Sequence, residues 1–526
     1  MKNRMRSFAR ETYGELKGLK RYRSVFVCSL LFSVALYYLL MAHQLVNSND
    51  GIWEYSYYKA GRWSLTLGRW LLLYLDRLHF GISTDPLTSL ITLSLYSLGL
   101  IFLLDVFCMG RRKAGYLAAM LFIGSVAICS SLTYRFTSPS YGLAFLLGML
   151  AVWILVKGKG RALPIVSGGM LLACSMGLYQ AYLGCVCMAL LGYFLFSLYK
   201  ESVSLRNVLT DMARAAGMGM LGGILYVAAL RLHLAVFHLE LSGYMGAERY
   251  SLSNTVKYLP DSIARAYREF FRYFGEEGFI LDMFRGTPLL YAVLGLFGLF
   301  FVYGLVRLFR EDRWKAALGL FLLSMIPVAC NMVLLIVTAA EVSVLMTVSM
   351  ASCMPVLLCV MAQTGFRGVF CAWLRRLTVL LLGVALYGSI YQIQIDQQAL
   401  LEGQRATITM AEGILHRLDQ EGCLDSELEY CVVGVPAYNS LFAVSRLYEA
   451  SNMYAHFGGW YNEPSCTRRS WQGVFSYLCG ANLTMCSSGD YGALYGNETV
   501  RDMPSYPEEG FIRRVGDIVV VKVAEY

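Results

Sequence analysis

Long apolar segments alternate with short charged loops over roughly the first 395 residues of the chain. A helix needs about 20 apolar residues to cross the hydrocarbon core of a bilayer, and segments of that length recur throughout this region. The pattern therefore predicts about eleven membrane-spanning helices. They are expected near residues 24–45, 86–108, 115–133, 140–156, 162–178, 180–199, 213–236, 287–306, 316–338, 342–363 and 377–395.

Two amphipathic segments are too polar to span a bilayer. The first, residues 66–80, mixes leucine and aromatic residues with Arg69, Asp76 and Arg77, and we expect it to lie along the membrane surface. In the second, residues 253–274, apolar residues recur at helical spacing. Both belong to long loops, residues 46–85 and 237–286, that we expect on the outer side of the membrane.

Residues 396–526 have the pattern of a small α+β domain. Residues 430–435 form an apolar run typical of a buried strand, and residues 511–523 have the pattern of a hairpin that turns at Gly516-Asp517. Residues 439–456 and 471–479 are expected to be helical. The predicted fold class is an all-α polytopic membrane protein with a small external C-terminal α+β domain.

Composition and charge indicate the topology. Hydrophobic residues make up 57% of the chain and charged residues only 15%, which is more apolar than a soluble protein. Residues 1–23 are basic and are followed by no signal-peptide cleavage site, so we expect a cytoplasmic N-terminus. Basic residues return at every second loop, as the positive-inside rule requires of cytoplasmic loops. These loops are residues 111–113, 157–161, 200–206, 307–315 and 367–376.

The predicted spans place the transmembrane region at residues 24–395. Because their number is odd and the N-terminus is expected in the cytoplasm, the C-terminal region is expected outside. That region is acidic overall although the whole chain has a formal net charge of +9, so the basic excess lies in the membrane half. Because this distribution accounts for the charge by topology, we expect no nucleic-acid partner. The C-terminal region permits one or two disulfides with open pairing, and reduced thiols are an equal alternative. Its cysteines are Cys423, Cys431, Cys466, Cys479 and Cys486.

Several classes of site have no signature in the sequence. There is no Walker-type loop, no Asp-x-Asp pair to hold a metal-bound nucleotide sugar, and no ligand spacing among the six histidines. We therefore assign no metal ligand and leave any metal requirement open. Few ionisable residues fall within the apolar segments; Asp105 and Arg231 lie near span ends, where charged side chains usually reach the interface.

The first outer loop concentrates carboxylates, aromatic rings and cations. Residues 47–55 read Asn-Ser-Asn-Asp-Gly-Ile-Trp-Glu-Tyr, and Tyr57, Tyr58, Lys59, Arg62 and Trp63 follow. One interpretation is an aromatic belt at the membrane interface with incidental charges. The other is a sugar site, in which rings stack on the sugar, a carboxylate accepts a hydroxyl proton and cations hold a phosphate.

The order of these features resembles the GtrII family of bacterial membrane glucosyltransferases. The resemblance rests on an acidic site after the first helix, an aromatic run, Gly61-Arg62-Trp63 and a surface helix. Further motifs are Gly177-Leu178-Tyr179-Gln180-Ala181 at the join of two spans and Tyr134-Arg135-Phe136 in an outer loop. The chain departs from the family pattern at Asn49, Trp63 and Thr137, where the family commonly has an acid, a proline and an acid.

The resemblance implies the GT-C architecture in a bacterial cell membrane, with Asp50 by position as the catalytic base. Nucleotide sugars are not available outside the cell, so an outward-facing transferase needs a lipid-linked donor, and a polyprenyl phosphate sugar fits. The hypothesis is that a hexose, most simply glucose, passes from this donor to a cell-surface glycan with inversion. Arg62, Arg69 and Arg135 are candidates for holding the phosphate, Trp53, Glu54 and Tyr58 for the sugar, and Tyr179 and Gln180 for the donor cleft.

Two other function classes remain open from the sequence. A lipid or glycan transporter without covalent chemistry would need polar residues along a continuous path through the bundle, and this chain has them only at span ends. A surface receptor would bind its partner through residues 396–526. Transfer activity distinguishes both from the enzyme.

Overall fold

The structure is a computed structural model that describes residues 12–158, 162–200, 202–243, 257–275, 287–336, 342–366 and 368–526. The helices before the first long span are α1 Arg23–Leu36, α2 Tyr38–Ala42, α3 Asp50–Trp53, α4 Arg62–Thr66 and α5 Leu72–Leu78. The membrane region continues with α6 Leu87–Val106, α7 Lys113–Ile123, α8 Val126–Thr133, α9 Ser138–Lys157, α10 Ala162–Leu178, α11 Leu183–Leu198, α12 Leu205–Val236, α13 Leu259–Gly275, α14 Thr287–Glu311, α15 Arg313–Ser324, α16 Ile326–Cys330, α17 Val333–Ile336, α18 Val348–Ala351 and α19 Cys353–Gln363.

The remaining elements begin with one long helix and form the C-terminal region. They are α20 Val369–Gln420, β1 Glu429–Val433, α21 Arg446–Glu449, α22 Pro464–Gly473, β2 Thr484–Met485, α23 Ser488–Tyr495, α24 Glu498–Arg501, β3 Ile512–Val515 and β4 Ile518–Lys522. Single turns of 3₁₀ helix cover Leu19–Tyr22, Gln180–Tyr182, Val344–Thr347, Pro436–Tyr438 and Met453–Ala455, and Val474–Leu478 is a π-helical turn.

Within the described ranges, seven helices are long and apolar enough to cross a membrane, or eight if the bent pair α7 and α8 counts as one span. Each of the seven coincides with a predicted span. They are Leu87–Val106, Ser138–Lys157, Gln180–Leu198, Leu205–Val236, Pro288–Glu311, Val344–Gln363 and Val369–Gln420. The structure therefore confirms a helical protein with several apolar helices, and the count of eleven spans stays a prediction.

The other predicted spans are broken or short in the structure. The span at 24–45 divides into α1 and α2 at Tyr37, and the span at 115–133 bends by 45° between α7 and α8. The span at 316–338 divides into three helices, one of which has Pro327 in its first turn, where proline lacks the N–H that would continue the preceding helix. The span at 162–178 is the single helix α10 of 17 residues. Hydropathy alone does not detect such breaks.

The predicted surface segments are short helices in the structure. Residues 66–80 contain α5 and the end of α4, separated by Gly68 with a φ of +81°. The second segment corresponds to α13, although its first residues, 253–256, lie outside the described residues.

Asp105 was expected to reach the interface, and the structure instead buries it at the end of α6. Its carboxylate pairs with Arg21 and with Lys157 at 3.0 Å, and accepts a hydrogen bond from Trp153 Nε1 at 2.9 Å. Three donors, Arg21 before α1 and Trp153 and Lys157 on α9, thus satisfy a charge that would otherwise be costly to bury. The cluster joins the chain before α1 to α6 and α9.

Helix α20 continues without a break for 52 residues, so the predicted boundary at 395/396 lies inside one helix. Just beyond that boundary, the Asp396 carboxylate is fully buried and accepts four hydrogen bonds. The donors are Gln392 Nε2 at 3.0 Å, Asn452 N at 3.0 Å, Asn452 Nδ2 at 2.8 Å and the Tyr454 hydroxyl at 2.6 Å. These bonds fix the C-terminal region to the long helix.

The C-terminal region has a four-stranded sheet in the order β2-β1-β4-β3. Strand β1 is parallel to β2 and β4, and β3 and β4 form the predicted hairpin with Gly516 at a φ of +63°. The predicted helix at 439–456 is wrong, because this segment holds only α21 and one 3₁₀ turn. The predicted helix at 471–479 is the end of a longer element that begins at α22.

Candidate functional site

The loop predicted at residues 46–85 contains Asn47, whose side chain organises the turn that carries Asp50. The Asn47 carboxamide oxygen accepts hydrogen bonds from the Gly51 N–H at 3.0 Å and the Asn49 N–H at 3.2 Å, and its Nδ2 donates to the Thr133 carbonyl at 3.2 Å. A Cβ on Gly51 would lie 2.8 Å from the same carbonyl, so only glycine permits this approach. The start of α3 is thereby fixed against the end of α8.

Two carboxylates lie one helical turn apart at this point. Asp50 is accessible to solvent, yet the surrounding protein raises the pKa of its carboxyl, while Arg69 and Arg469 act in the opposite direction. Half-buried Glu54 has its pKa raised to about 6, first by burial and further by the charge of Asp50, with Arg469 opposing. The environment thus raises the pKa of both carboxyls, and two neighbouring carboxyls with shifted pKa values are typical of general acid–base sites.

Arg69 is held by the Tyr-Gln motif. The Gln180 Nε2 donates to the Leu67 carbonyl at 2.9 Å and to the Tyr226 hydroxyl at 2.9 Å, which fixes the loop beside Gly68. A side chain at Gly68 would collide with the Gln180 amide and the Tyr226 hydroxyl. The motif therefore fixes the backbone from which the Arg69 side chain extends.

The Arg69 guanidinium lies over the ring of buried Tyr179, 4.7 Å from the ring centroid. Its Nε is buried and has no hydrogen-bond partner among the described residues. A buried guanidinium N–H without a partner is unusual, and a phosphate or carboxylate oxygen would satisfy it. Since Arg69 also acts electrostatically on Asp50, a cation suited to an anion lies beside the candidate base.

Arg135 and Tyr58 hold the loop in place through contacts within it and with its neighbours. Arg135 is 2% exposed, donates to the Gln44 carboxamide at 3.2 Å and to the Tyr55 carbonyl, and lies 4.2 Å from the centroid of the Tyr55 ring. The Tyr58 hydroxyl is 2.7 Å from Ser64 Oγ, and its ring packs on Phe136 at 4.7 Å. These contacts give both side chains a role in holding the loop.

Arg62 is exposed at the first position of α4. The cations that act on Asp50 are Arg69 and Arg469. The structure thus brings Asp50, Glu54, Arg69 and Tyr179 together and leaves Arg62 on the surface. Among the described residues, no group of three or more His, Cys, Asp or Glu side chains could hold a metal ion.

The C-terminal region contributes one face of this site. Trp53 Nε1 donates to Ser470 Oγ at 2.9 Å, and Ser470 Oγ donates to the Ser48 carbonyl at 2.9 Å. The Arg469 guanidinium lies 5.2 Å from the Trp53 ring centroid, and Tyr55 stacks on Tyr477 at 5.7 Å. Sequence reasoning missed Arg469, because no spacing or motif connects α22 with the first outer loop.

The family model described as Glucosyl transferase GtrII matches residues 44–356, more than half of the 526-residue chain. The chain belongs to the GtrII family. This confirms the resemblance and makes the protein a membrane glycosyltransferase of a glucosyltransferase family. No curated protein and no solved structure gives a significant match.

The matched range begins three residues before Asn47 and includes every candidate residue from Asp50 to Gln180. Arg469 and the rest of α22 lie beyond it. The GtrII region thus supplies the carboxylates, Arg69 and the Tyr-Gln motif, whereas the face that contains Arg469 comes from a part of the chain outside the family match.

Proposed function

We propose that the protein transfers glucose from a polyprenyl phosphate donor to a hydroxyl group of a cell-surface glycan, at the outer face of a bacterial membrane, with Asp50 as the general base. One observation carries the proposal. The carboxylate of Asp50 lies within electrostatic reach of Arg69, whose buried Nε has no partner among the described residues. This arrangement suits a base next to the leaving phosphate.

The reaction is a single displacement at the anomeric carbon. The acceptor oxygen forms a bond to that carbon as the bond from the carbon to the phosphate oxygen breaks. The hydroxyl proton goes to Asp50, and polyprenyl phosphate leaves with its negative charge next to Arg69. Attack from the side opposite the phosphate inverts the anomeric configuration.

The other residues have supporting roles in this proposal. Trp53, whose ring lies beside Arg469, and half-buried Glu54 contact the glucosyl group or the acceptor. Tyr179 and Gln180 act on the donor side of the site by holding Arg69 in position. Arg135 and Tyr58 maintain the conformation of the loop. Arg62, exposed at the start of α4, meets the phosphate or a lipid headgroup at the interface.

A lipid-linked donor agrees with the membrane region. Apolar helices flank the loop that carries Asp50, so a polyprenyl chain can remain among them while its phosphate reaches the interface. We extend the proposal to about eleven spans in a GT-C architecture, with the N-terminus in the cytoplasm and the C-terminal region outside.

Transfer from a defined donor tests the proposal. Membranes containing the protein are supplied with radiolabelled glucose on polyprenyl phosphate or on a nucleotide. We expect label in the glycan, with the opposite anomeric configuration, only from the lipid-linked donor. Movement of the intact lipid-linked sugar across vesicles without transfer would overturn the proposal in favour of a transporter.

The proposed topology has its own test. Single cysteines are introduced at exposed Asp517 and exposed Arg111, and intact cells are treated with a membrane-impermeant maleimide. Labelling above the wild-type level is expected for Asp517→Cys and not for Arg111→Cys. The reverse result would contradict the orientation.

A further inference from the structure

Helix α22 of the C-terminal region is fixed against α3. Besides the hydrogen bonds from Trp53 to Ser470 and from Ser470 to Ser48, α22 presents Gly473 to the Ile52 backbone. A Cβ on Gly473 would lie 2.7 Å from the Ile52 carbonyl oxygen, so a larger residue would force the two helices apart. The position of α22 relative to Asp50 is therefore determined by specific contacts.

Arg469 directly precedes Ser470, so this anchor also fixes the arginine. Its guanidinium lies over the ring of Trp53, which follows Asp50 by three residues and directly precedes Glu54. The positive charge opposes protonation of both carboxylates. The Arg469 side chain is exposed, whereas the Arg69 guanidinium lies over the ring of Tyr179. Both cations act electrostatically on Asp50. The charged and titratable groups that act on it or respond to it are Glu54, Arg69, Tyr141, Cys466 and Arg469.

We propose that Arg469 is a positioning residue of the active site, supplied by the C-terminal region, whose guanidinium lies over Trp53 and offsets the negative charge of the neighbouring carboxylates. This inference rests on the proposed function of Asp50. It makes the C-terminal region part of the catalytic unit, although it lies outside the family match.

A positioning role has a consequence for the pH profile. A carboxylate that loses a nearby cation binds its proton more tightly, so the acidic limb of the rate profile moves to higher pH. The effect of one neighbouring cation is about one pH unit. A residue that only stabilised the fold would lower the rate at every pH and leave the limb in place.

The test compares Arg469→Ala, Arg469→Lys and a control, Arg514→Ala, which removes an exposed arginine from the edge strand β3. We expect the acidic limb of kcat to move up by about one pH unit in Arg469→Ala, and to stay near the wild-type position in Arg469→Lys and in the control. An unchanged limb in Arg469→Ala, in protein that transfers glucose and depends on Asp50, would overturn this inference alone. Absence of transfer by the wild-type protein would instead overturn the proposed function.

Cys431 on strand β1 and Cys486, which directly follows strand β2, lie side by side in the C-terminal region. Strand β1 pairs in parallel with β2 through Tyr430 and Met485, and the Cys486 N–H donates to the Tyr430 carbonyl at 3.0 Å. Cys431 and Cys486 are the next residues on these two chains, so they are neighbours on the same face. Neighbouring strands lie about 4.8 Å apart, which is within the range that a disulfide spans.

Both side chains are fully buried, both are free thiols in the structure, and each thiol is the first influence on the pKa of the other. We propose that they form a disulfide when the C-terminal region is exposed outside the cell. The two thiols lose two protons and two electrons to the disulfide form of an extracytoplasmic thiol oxidoreductase, which becomes a dithiol. The bond would fix the edge strand β2 to β1. The proposal rests on the outward orientation of this region.

Peptide mapping tests the disulfide on protein that is purified from membranes, alkylated in denaturant and digested without reduction. We expect a linked peptide pair containing Cys431 and Cys486, which separates after reduction. Alkylation of both residues before reduction would overturn the proposal. Labelling of Asp517→Cys from outside the cell shows independently whether the orientation is correct, so the two failures are distinguishable.

Discussion

Arg69 owes its position to residues that are distant from it in the sequence. Tyr179 lies under its guanidinium, and Gln180 holds the Leu67 carbonyl beside Gly68. The sequence identified all three as candidates, because the loop and the Tyr-Gln motif follow the family pattern. It did not reveal that the motif acts through Arg69, because that contact depends on how α10 meets the first outer loop.

Glu54 should make donor binding depend on pH. Because its pKa is about 6, Glu54 is mostly neutral below pH 6 and mostly ionised above it. The ionised carboxylate repels the negatively charged phosphate of the donor. We expect the KM for the polyprenyl phosphate donor to rise about fivefold between pH 5 and pH 7, which corresponds to about 1 kcal/mol of repulsion. Glu54→Gln should keep the low-pH value throughout.

The measurement is the donor KM across this pH range for the wild type, Glu54→Gln and the exposed control Glu427→Gln. The control should follow the wild type. The same rise in Glu54→Gln as in the wild type would contradict the assignment of this titration to Glu54.

At the scale of elements, hydropathy predicted the long helices well, because seven of the predicted spans coincide with apolar helices. It failed where a helix breaks inside an apolar segment, as at Tyr37 and Pro327, since a break changes no hydropathy. It also ended the last span near residue 395, where α20 in fact continues to Gln420. The buried Asp396 looks like a polar boundary in the sequence, and in the structure it is satisfied by the C-terminal region.

Asp396 should be important for stability. Each carboxylate oxygen of Asp396 accepts two hydrogen bonds. In Asp396→Asn an NH₂ group replaces one oxygen, and whichever oxygen it replaces, it faces two hydrogen-bond donors. Buried groups without partners cost about 1–3 kcal/mol each, so we expect a Tm lower by several degrees in detergent. The exposed Asp419→Asn, on the same helix, should retain the wild-type Tm. Equal Tm values for both variants would contradict a structural role for Asp396.

At the scale of the whole molecule, the site is shared between two distant parts of the chain. The GtrII region contributes Asp50, Glu54 and Arg69, and α22 packs against α3 through the hydrogen bond from Trp53 to Ser470. The sequence predicted the first part because its residues are close together in one loop. It could not predict the second, because Arg469 acquires its role only through packing that brings α22 onto α3.

Gly473 tests whether this packing matters for catalysis. Gly473→Val should push α22 away from Ile52 and lower kcat at least about tenfold, since misplacement of supporting groups by about 1 Å can cost two orders of magnitude. Gly492→Val is a matched control, because a Cβ at Gly492 meets no atom within 4 Å. Its rate should stay close to that of the wild type. A Gly473→Val enzyme with wild-type kcat would show that the C-terminal region is not part of the site.

The most direct measurement is the initial rate of glucosyl transfer from polyprenyl phosphate glucose by purified Asp50→Asn. The exposed control Asp261→Asn, on the surface helix α13, is measured beside it. A general base contributes about 10²- to 10⁴-fold, so the rate of Asp50→Asn should fall by at least about 100-fold while the control stays near the wild-type rate. A wild-type rate in folded Asp50→Asn would contradict the proposed role of Asp50 as the general base.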